Sequence, residues 1–110
     1  MTTGHEGHGR VQDRLPGEPA RVWEVLIESN VGEHWLLEVS YPPLKFATLA
    51  QARAVAEAQT RTFRPADPFK QVRRTVYRTG EDRYLVAVEG LMSTFQFTVQ
   101  VGEQVAVVEY

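Results

Sequence analysis

The feature that most constrains this chain is a strict alternation of apolar and polar residues over residues 94–101, TFQFTVQV. In an extended chain, every second side chain points to the same side. The apolar side would carry Phe95, Phe97, Val99 and Val101, and the other side only threonine and glutamine. Such a segment predicts a strand in an antiparallel sheet that buries one face against a core.

Two earlier segments, residues 21–28 (RVWEVLIE) and 34–41 (HWLLEVSY), alternate in the same way. We expect them to form a hairpin around residues 30–32, because Gly32 can adopt the positive φ that a three-residue loop requires. The resulting register pairs Val25 with Leu37, Leu26 with Leu36, and Ile27 with Trp35. A helix is the alternative for residues 19–29, since apolar residues there also recur four apart, but the β-branched and aromatic content favours the strand.

One helix is predicted to follow Thr48. Thr48 and Gln51 have the T-x-x-Q spacing of a capping box, in which the threonine hydroxyl accepts a hydrogen bond from the amide three residues later. The helix should end before Arg64, because Pro65 disfavours the helical conformation of the residue that precedes it. Its apolar stripe consists of Leu49, Ala52, Val55, Ala56 and Phe63.

Strands are predicted again at residues 71–78 and 83–89, joined by a turn at residues 79–82. A turn at residues 102–104 should lead into a short last strand at residues 105–109. The predicted fold class is therefore α+β, a single domain with the element order ββαβββ(β). In this fold, a curled antiparallel sheet carries one helix packed on one face.

The composition limits both the chemistry and the location of the protein. The chain contains no cysteine, so disulfides, thiolate nucleophiles and sulfur-ligated metals are excluded. Residues 1–19 are rich in glycine and proline, and we expect a disordered N-terminal tail before a single domain at residues 20–110. No apolar stretch has the length of a signal peptide core or a transmembrane span, which predicts a cytoplasmic protein that makes no membrane contact.

The first expectation for function is a small non-enzymatic interaction module. One helix is too little to cover a sheet of this size, so the sheet face away from the helix would carry apolar residues that need a partner. The interface candidates are Leu26 and Leu36, which the predicted register places together on that face. We expect self-association, as a homodimer, or binding to a protein partner through this face.

A pocket between the helix and the curled sheet is the alternative, and it would suit a small-ligand-binding protein or an enzyme. Arg74 lies between Val72 and Val76 on the side expected to face the core. A buried guanidinium needs a carboxylate or a ligand to compensate its charge. The candidate lining residues are Trp23, Trp35, Phe63, Arg74, Phe95 and Phe97.

Glu28 and His34 are the weak candidates for a metal site, because the predicted hairpin sets them opposite each other near two further carboxylates. Carboxylate and imidazole are ligands that divalent cations accept. However, one imidazole among surface acids is more simply explained by ion pairs with neighbouring arginines. We therefore predict no metal, no cofactor and no catalytic residue, and the sequence leans toward a protein without enzymatic activity.

The charge distribution suggests a third and weaker function. Residues 61–83 hold seven basic and three acidic residues, interspersed with aromatic residues, which suits single-stranded nucleic acid or another polyanion. Against this, the whole chain has 14 acidic and 12 basic residues. Alternation along the strands also distributes these arginines over both faces of the sheet. Nucleic acid therefore ranks below a protein partner and a small ligand.

Overall fold

The structure is a computed structural model that describes residues 10–11, 21–38, 43–65 and 70–110. The other residues of the predicted N-terminal tail lie outside the described part, as do residues 39–41 of the second predicted strand. The described elements are β1 (Arg10–Val11), β2 (Trp23–Val31), β3 (His34–Leu37), β4 (Lys45–Phe46), α1 (Leu49–Thr62), β5 (Gln71–Gly80), β6 (Arg83–Gly90), β7 (Thr94–Glu103) and β8 (Val108–Glu109).

Six of these strands form one open antiparallel sheet, in the order β3-β2-β7-β6-β5, and β4 pairs with the start of β2 on the same edge as β3. The helix α1 packs on one face of this sheet. The predicted α+β fold, with one helix on a curled antiparallel sheet, is therefore confirmed. The sequence pattern did not reveal β4, because a strand of two residues is too short to show a period.

The core lies between α1 and the sheet, and it is built by the alternation that the sequence shows. Each strand contributes every second residue, and the register aligns these residues across β2, β7 and β6. Removing their apolar surface from water is the main force that holds the helix on the sheet. The buried apolar residues are Val25, Ile27, Ala52, Ala56, Val86, Val88, Phe97 and Val99.

Both ends of α1 lie where the sequence predicts them. The hydroxyl of Thr48 accepts a hydrogen bond from the amide of Gln51 at 3.1 Å, which satisfies one of the free donors of the first turn. The helix ends at Thr62, and Phe63 already has extended backbone angles, φ −61° and ψ 130°. Pro65 follows two residues later, in agreement with its predicted effect.

The first hairpin has a different register from the predicted one. The turn consists of Gly32 and Glu33, so Asn30 pairs with Trp35 and Ser29 with Leu36. Gly32 has a φ of +61°, which suits the first position of a two-residue turn of type II′. The predicted three-residue loop was wrong, and the shift of three residues, an odd number, turns every side chain of β3 to the opposite face.

The C-terminal segment also departs from the prediction. β7 continues through Gly102 to Glu103, so the turn predicted at residues 102–104 was wrong. The last strand, β8, is shorter than predicted and pairs with β1 rather than with the main sheet. No helix in the described part of the chain is long and apolar enough to cross a membrane.

Candidate functional site on the outer sheet face

The sheet face that does not contact α1, called the outer face below, is the candidate functional site. Of the elements that the structure describes, none packs on it. Residues that pair directly on neighbouring strands point to the same face of a sheet. Starting from Glu28 and Leu85, the strand pairing therefore identifies the other side chains of the outer face. The outer face carries Leu26, Glu28, Trp35, Leu37, Tyr77, Arg83, Leu85, Ala87 and Thr98.

Large apolar side chains are exposed at both sides of the outer face. On the β3 side, Trp35 is 43% exposed and Leu37 is 56% exposed. On the β5 side, Tyr77 is 52% exposed. Between them lie the half-buried side chains of Leu26 and Leu85. Exposed apolar side chains gathered on one face of a protein often mark the site of a partner or a ligand.

A cleft of about 540 Å³ crosses the middle of this face. It spans five strands, and its lining combines an indole, an aliphatic side chain, two hydroxyls, a carboxylate and a guanidinium. The lining residues are Glu28, Trp35, Thr79, Arg83, Leu85 and Thr98. A concave surface that mixes apolar area with a few polar groups is the usual form of a recognition site.

The charges of this cleft have no partners among the described residues. Neither Glu28 nor Arg83 forms an ion pair or a side-chain hydrogen bond within that part of the chain. Glu28 is half-buried, so water compensates its carboxylate less well than it would at a fully exposed position. An opposite charge brought to either residue would therefore find an unused partner.

A second cleft, of about 340 Å³, differs in that its charges are paired within the protein. It lies between α1 and the β5–β6 turn. Arg53 reaches across it to Asp82 with two hydrogen bonds of 2.6 and 3.2 Å, and to Glu81 at 3.4 Å. The hydrogen bond to Asp82 raises the pKa of Arg53. This cleft is thus an internal connection between the helix and the sheet, and it leaves few groups for a ligand.

Thr98 adds a further unsatisfied group to the outer-face cleft. The residue is only 7% exposed, and its hydroxyl has no hydrogen-bond partner. A buried hydroxyl without a partner costs about 1–3 kcal/mol relative to one that is bonded. Ser29 has the same property on the helix side, where it pairs with Phe97 of β7.

Five of the six predicted pocket residues lie on the helix side of the sheet. Phe63 and Phe97 meet edge to face with ring centroids 4.9 Å apart, and Trp23 and Phe95 pack beside the core. Trp35 is the sixth, and the hairpin register moves it to the outer face. None of the five on the helix side lines the described cleft between α1 and the β5–β6 turn.

Arg74 faces the helix as the alternation indicates, but its partners are not those expected. Its guanidinium donates to the backbone oxygens of Thr60 at 3.1 Å and Phe63 at 2.7 Å, and to Gln71 at 3.1 Å. It also lies over the ring of Phe97, 5.6 Å from the centroid. Burial lowers the pKa of Arg74, and the nearby charge of Arg64 lowers it further. Arg74 thus caps the C-terminal end of α1, where carbonyl oxygens lack helical donors.

The weak metal candidates are separated by the sheet. Glu28 pairs with Leu37 and points to the outer face, whereas His34 pairs with Val31 on the helix side. Within the described residues, no group of three or more histidine, aspartate or glutamate side chains could hold a metal ion. The interface candidates are separated in the same way, because Leu26 lies on the outer face and Leu36 on the other.

The arginines of residues 61–83 do not form one surface. Arg74 and Arg78 bond to backbone oxygens on the helix side, and Arg61 lies 3.7 Å from Glu57 on α1. Arg73, on the outer face, pairs with Glu89 at 3.6 Å. Most of these cations are thus already used within the protein, which leaves Arg83 as the available one on the described outer face.

The sequence pattern did not predict that Tyr77, Arg83 and Thr98 lie on the same sheet face as Leu37. A usable signal was present, because alternation alone puts Tyr77 and Leu85 on the side opposite Val76 and Val86. The strand register that brings them together could not be read from the pattern. Comparison with protein-family models, with curated proteins and with solved structures found no match for this chain, so its function is inferred from this geometry.

Proposed function

We propose that this protein is a small interaction module that self-associates through the outer face of its sheet. The observation that carries the proposal is the exposed apolar surface of Trp35, Leu37 and Tyr77, which α1 does not cover. Burying such side chains against a second copy removes apolar area from water and stabilises a dimer. The partner is a second copy because the face carries both apolar groups and both signs of free charge.

The two edges of the sheet are poorly suited to self-association by strand pairing, which favours the face. β5 is interrupted by register shifts near Gln71 and near Arg78, and arginine side chains stand along it. At the other edge of the sheet, the short strands β3 and β4 pair with different parts of β2. Bulges, charged residues and short strands are the means by which proteins protect sheet edges from further pairing.

Sedimentation velocity of the purified protein over roughly 5 to 500 µM tests the proposal, since this range covers the dissociation constants of small interfaces. We expect a monomer–dimer equilibrium. Leu37→Glu should shift it to the monomer by placing a charge on the buried face. Leu36→Glu is the matched control, because Leu36 is 53% exposed against 56% for Leu37 but lies on the other side of β3. A monomer throughout, or equal disruption by both variants, would refute the proposal.

A small ligand in the outer-face cleft is the second candidate function, and the unpartnered hydroxyl of Thr98 favours it. Glu28 and Arg83 suit the ammonium and carboxylate groups of a zwitterion, and Trp35 suits an apolar side chain. Titration with phenylalanine, followed by Trp35 fluorescence in a Trp23→Phe background, tests this candidate. A saturable change that Thr98→Val and Arg83→Gln weaken would support it, and an unchanged signal would exclude this class of ligand.

A further inference from the structure

We infer that two copies pack with their outer faces together about a two-fold axis parallel to the strands, so that Glu28 of each copy lies beside Arg83 of the other. This inference rests on the proposed self-association and adds the arrangement of the dimer. It predicts which residues meet, and it can fail while self-association itself is correct.

The two charges of the cleft lie on different strands of the outer face. Glu28 lies on β2 and Arg83 on β6, and β7 runs between these two strands. A two-fold axis that lies in the plane between two facing sheets, parallel to β7, brings the β2 side of one copy over the β6 side of the other. Each free carboxylate then lies near a free guanidinium of the second copy.

The register supports this contact in the strand direction as well. Glu28 pairs with Thr98, which pairs with Leu85, and Arg83 is two residues before Leu85 on the same face. Glu28 of one copy would thus lie over Leu85 of the other, one same-face position from Arg83. Sheets that pack face to face are about 10 Å apart, a gap that an arginine and a glutamate side chain can bridge.

The other arrangement, with the axis perpendicular to the strands, is electrostatically unfavourable. It places β2 of one copy over β2 of the other, so Glu28 lies two strands away from Arg83 of the other copy, and an axis at the level of Glu28 sets the two Glu28 carboxylates face to face. Like charges brought together at an interface repel each other strongly, because little water remains between them to screen them. The choice of axis therefore follows from the positions of Glu28 and Arg83, the two charges that line the cleft.

The apolar residues of the face agree with the same axis. Leu37, Glu28, Thr98, Leu85 and Tyr77 form one row across five strands, from β3 to β5. Rotation about β7 reverses this row, which puts Leu37 of one copy over Tyr77 of the other. The two most exposed apolar ends of the row thus cover each other. Thr98 lies at the axis and meets its own counterpart.

A charge-exchange series tests the predicted contact. Glu28→Arg and Arg83→Glu should each weaken the dimer about tenfold or more, because each sets like charges side by side. The double variant should return the dissociation constant to within about threefold of the wild type, since each new charge again meets its opposite. The measurement is sedimentation velocity at low salt, with circular dichroism to show that each variant is folded.

Glu33→Arg and Lys70→Glu are the controls, because they make the same kind of charge change at exposed positions outside the strands that form the outer face. They should leave the dimer unchanged. A wild-type protein that stays monomeric would overturn the proposed function and this inference together. A wild-type dimer that tolerates both single variants, or that the double variant fails to restore, would overturn the arrangement alone.

Chemical cross-linking reads the arrangement without relying on charge. The chain has no cysteine, so a single introduced thiol is unique. Leu37→Cys and Tyr77→Cys proteins are mixed and treated with a bismaleimide that spans about the 10 Å between packed sheets. We expect more cross-linked product between a Leu37→Cys copy and a Tyr77→Cys copy than between two copies of the same variant. A dominant product between two copies of Leu37→Cys would instead show the perpendicular axis and contradict the inference.

Discussion

At the scale of single residues, Arg74 shows how a strand residue can complete a helix. The last carbonyls of a helix lack donors, and the residues after Thr62 leave no room for a further turn before Pro65. Arg74 supplies the missing donors from β5, with its charge at the end of the helix that favours a cation. One side chain thus links two elements that pack weakly elsewhere.

Replacing Arg74 by methionine should lower the free energy of unfolding by about 2 kcal/mol, because carbonyl oxygens that accept from a charged donor lose it while remaining partly buried. Arg74→Lys should recover only part of this loss, since one ammonium group cannot reach all three acceptors. Urea denaturation followed by circular dichroism measures the effect.

Arg73→Met is the control for this experiment. Arg73 is the neighbouring strand residue, and its ion pair with Glu89 is largely exposed, with 69% of the Arg73 side chain accessible. We expect a change below about 0.5 kcal/mol, as for most surface pairs. A loss at Arg73 equal to that at Arg74 would show that the capping contact is not the cause.

Thr98→Val should raise the free energy of unfolding by about 1 kcal/mol, because the substitution replaces a buried hydroxyl that has no partner by a methyl group of similar shape. Thr94→Val makes the same change at an exposed position of the same strand and should have little effect. The urea midpoint gives the comparison. Destabilisation by Thr98→Val would mean that the hydroxyl is bonded after all.

At the scale of elements, the first hairpin shows where sequence patterns stop. Alternation correctly predicted both strands, because their residues fit a pleated chain. It could not select the register, since HWLL is apolar on both sides and Gly32 fits either a three-residue or a two-residue turn. The residues of the candidate site could not be predicted for the same reason, because the register decides to which sheet face Trp35, Leu36 and Leu37 point.

Other parts of the structure followed from local rules. Thr48, Gln51 and Pro65 determined both ends of α1, since capping and proline sterics act within a few residues. The partners of Arg74 were out of reach in the sequence. They are backbone oxygens that come near β5 only after the helix has packed on the sheet.

Gly32→Ala should destabilise the protein by about 1 kcal/mol or more, because a residue with a Cβ is strained at a φ of +61°. Nothing lies within 4 Å of an added Cβ there, so steric contact does not contribute. Gly80→Ala is the matched control, since its new Cβ would meet Arg83 only at an ordinary 3.6 Å. Thermal or urea unfolding of both variants separates backbone strain from packing, and equal losses would contradict this explanation.

At the scale of the whole molecule, the described structure has a main sheet with its helix and a small separate pair, β1 with β8. Among the described elements, β8 contacts β1 and no other. Val105, Val107 and Val108 are exposed by 39% or more. The stability of the main sheet should therefore be nearly independent of this pair.

Truncation after Gln104 tests this independence. We expect the urea midpoint of the shortened protein to match that of the full chain, with a difference in unfolding free energy below about 0.5 kcal/mol, because little buried area is lost. Truncation after Gly102, which removes residues that pair with the start of β2, should cost more. Equal and large losses in both proteins would show that residues 105–110 belong to the core.

The position of β7 has a consequence for how the chain is made. β5, β6 and β7 pair in the order in which they are synthesised, and so do β2 and β3, but β2 joins the sheet only through β7. The long segment between β2 and β7 must close into a loop before these strands can pair, and the entropic cost of this closure makes the step slow. During synthesis on the ribosome, β2 therefore remains unpaired with β7, and its apolar side chains stay exposed, until β7 has emerged. We expect the nascent chain to need chaperones most in that interval.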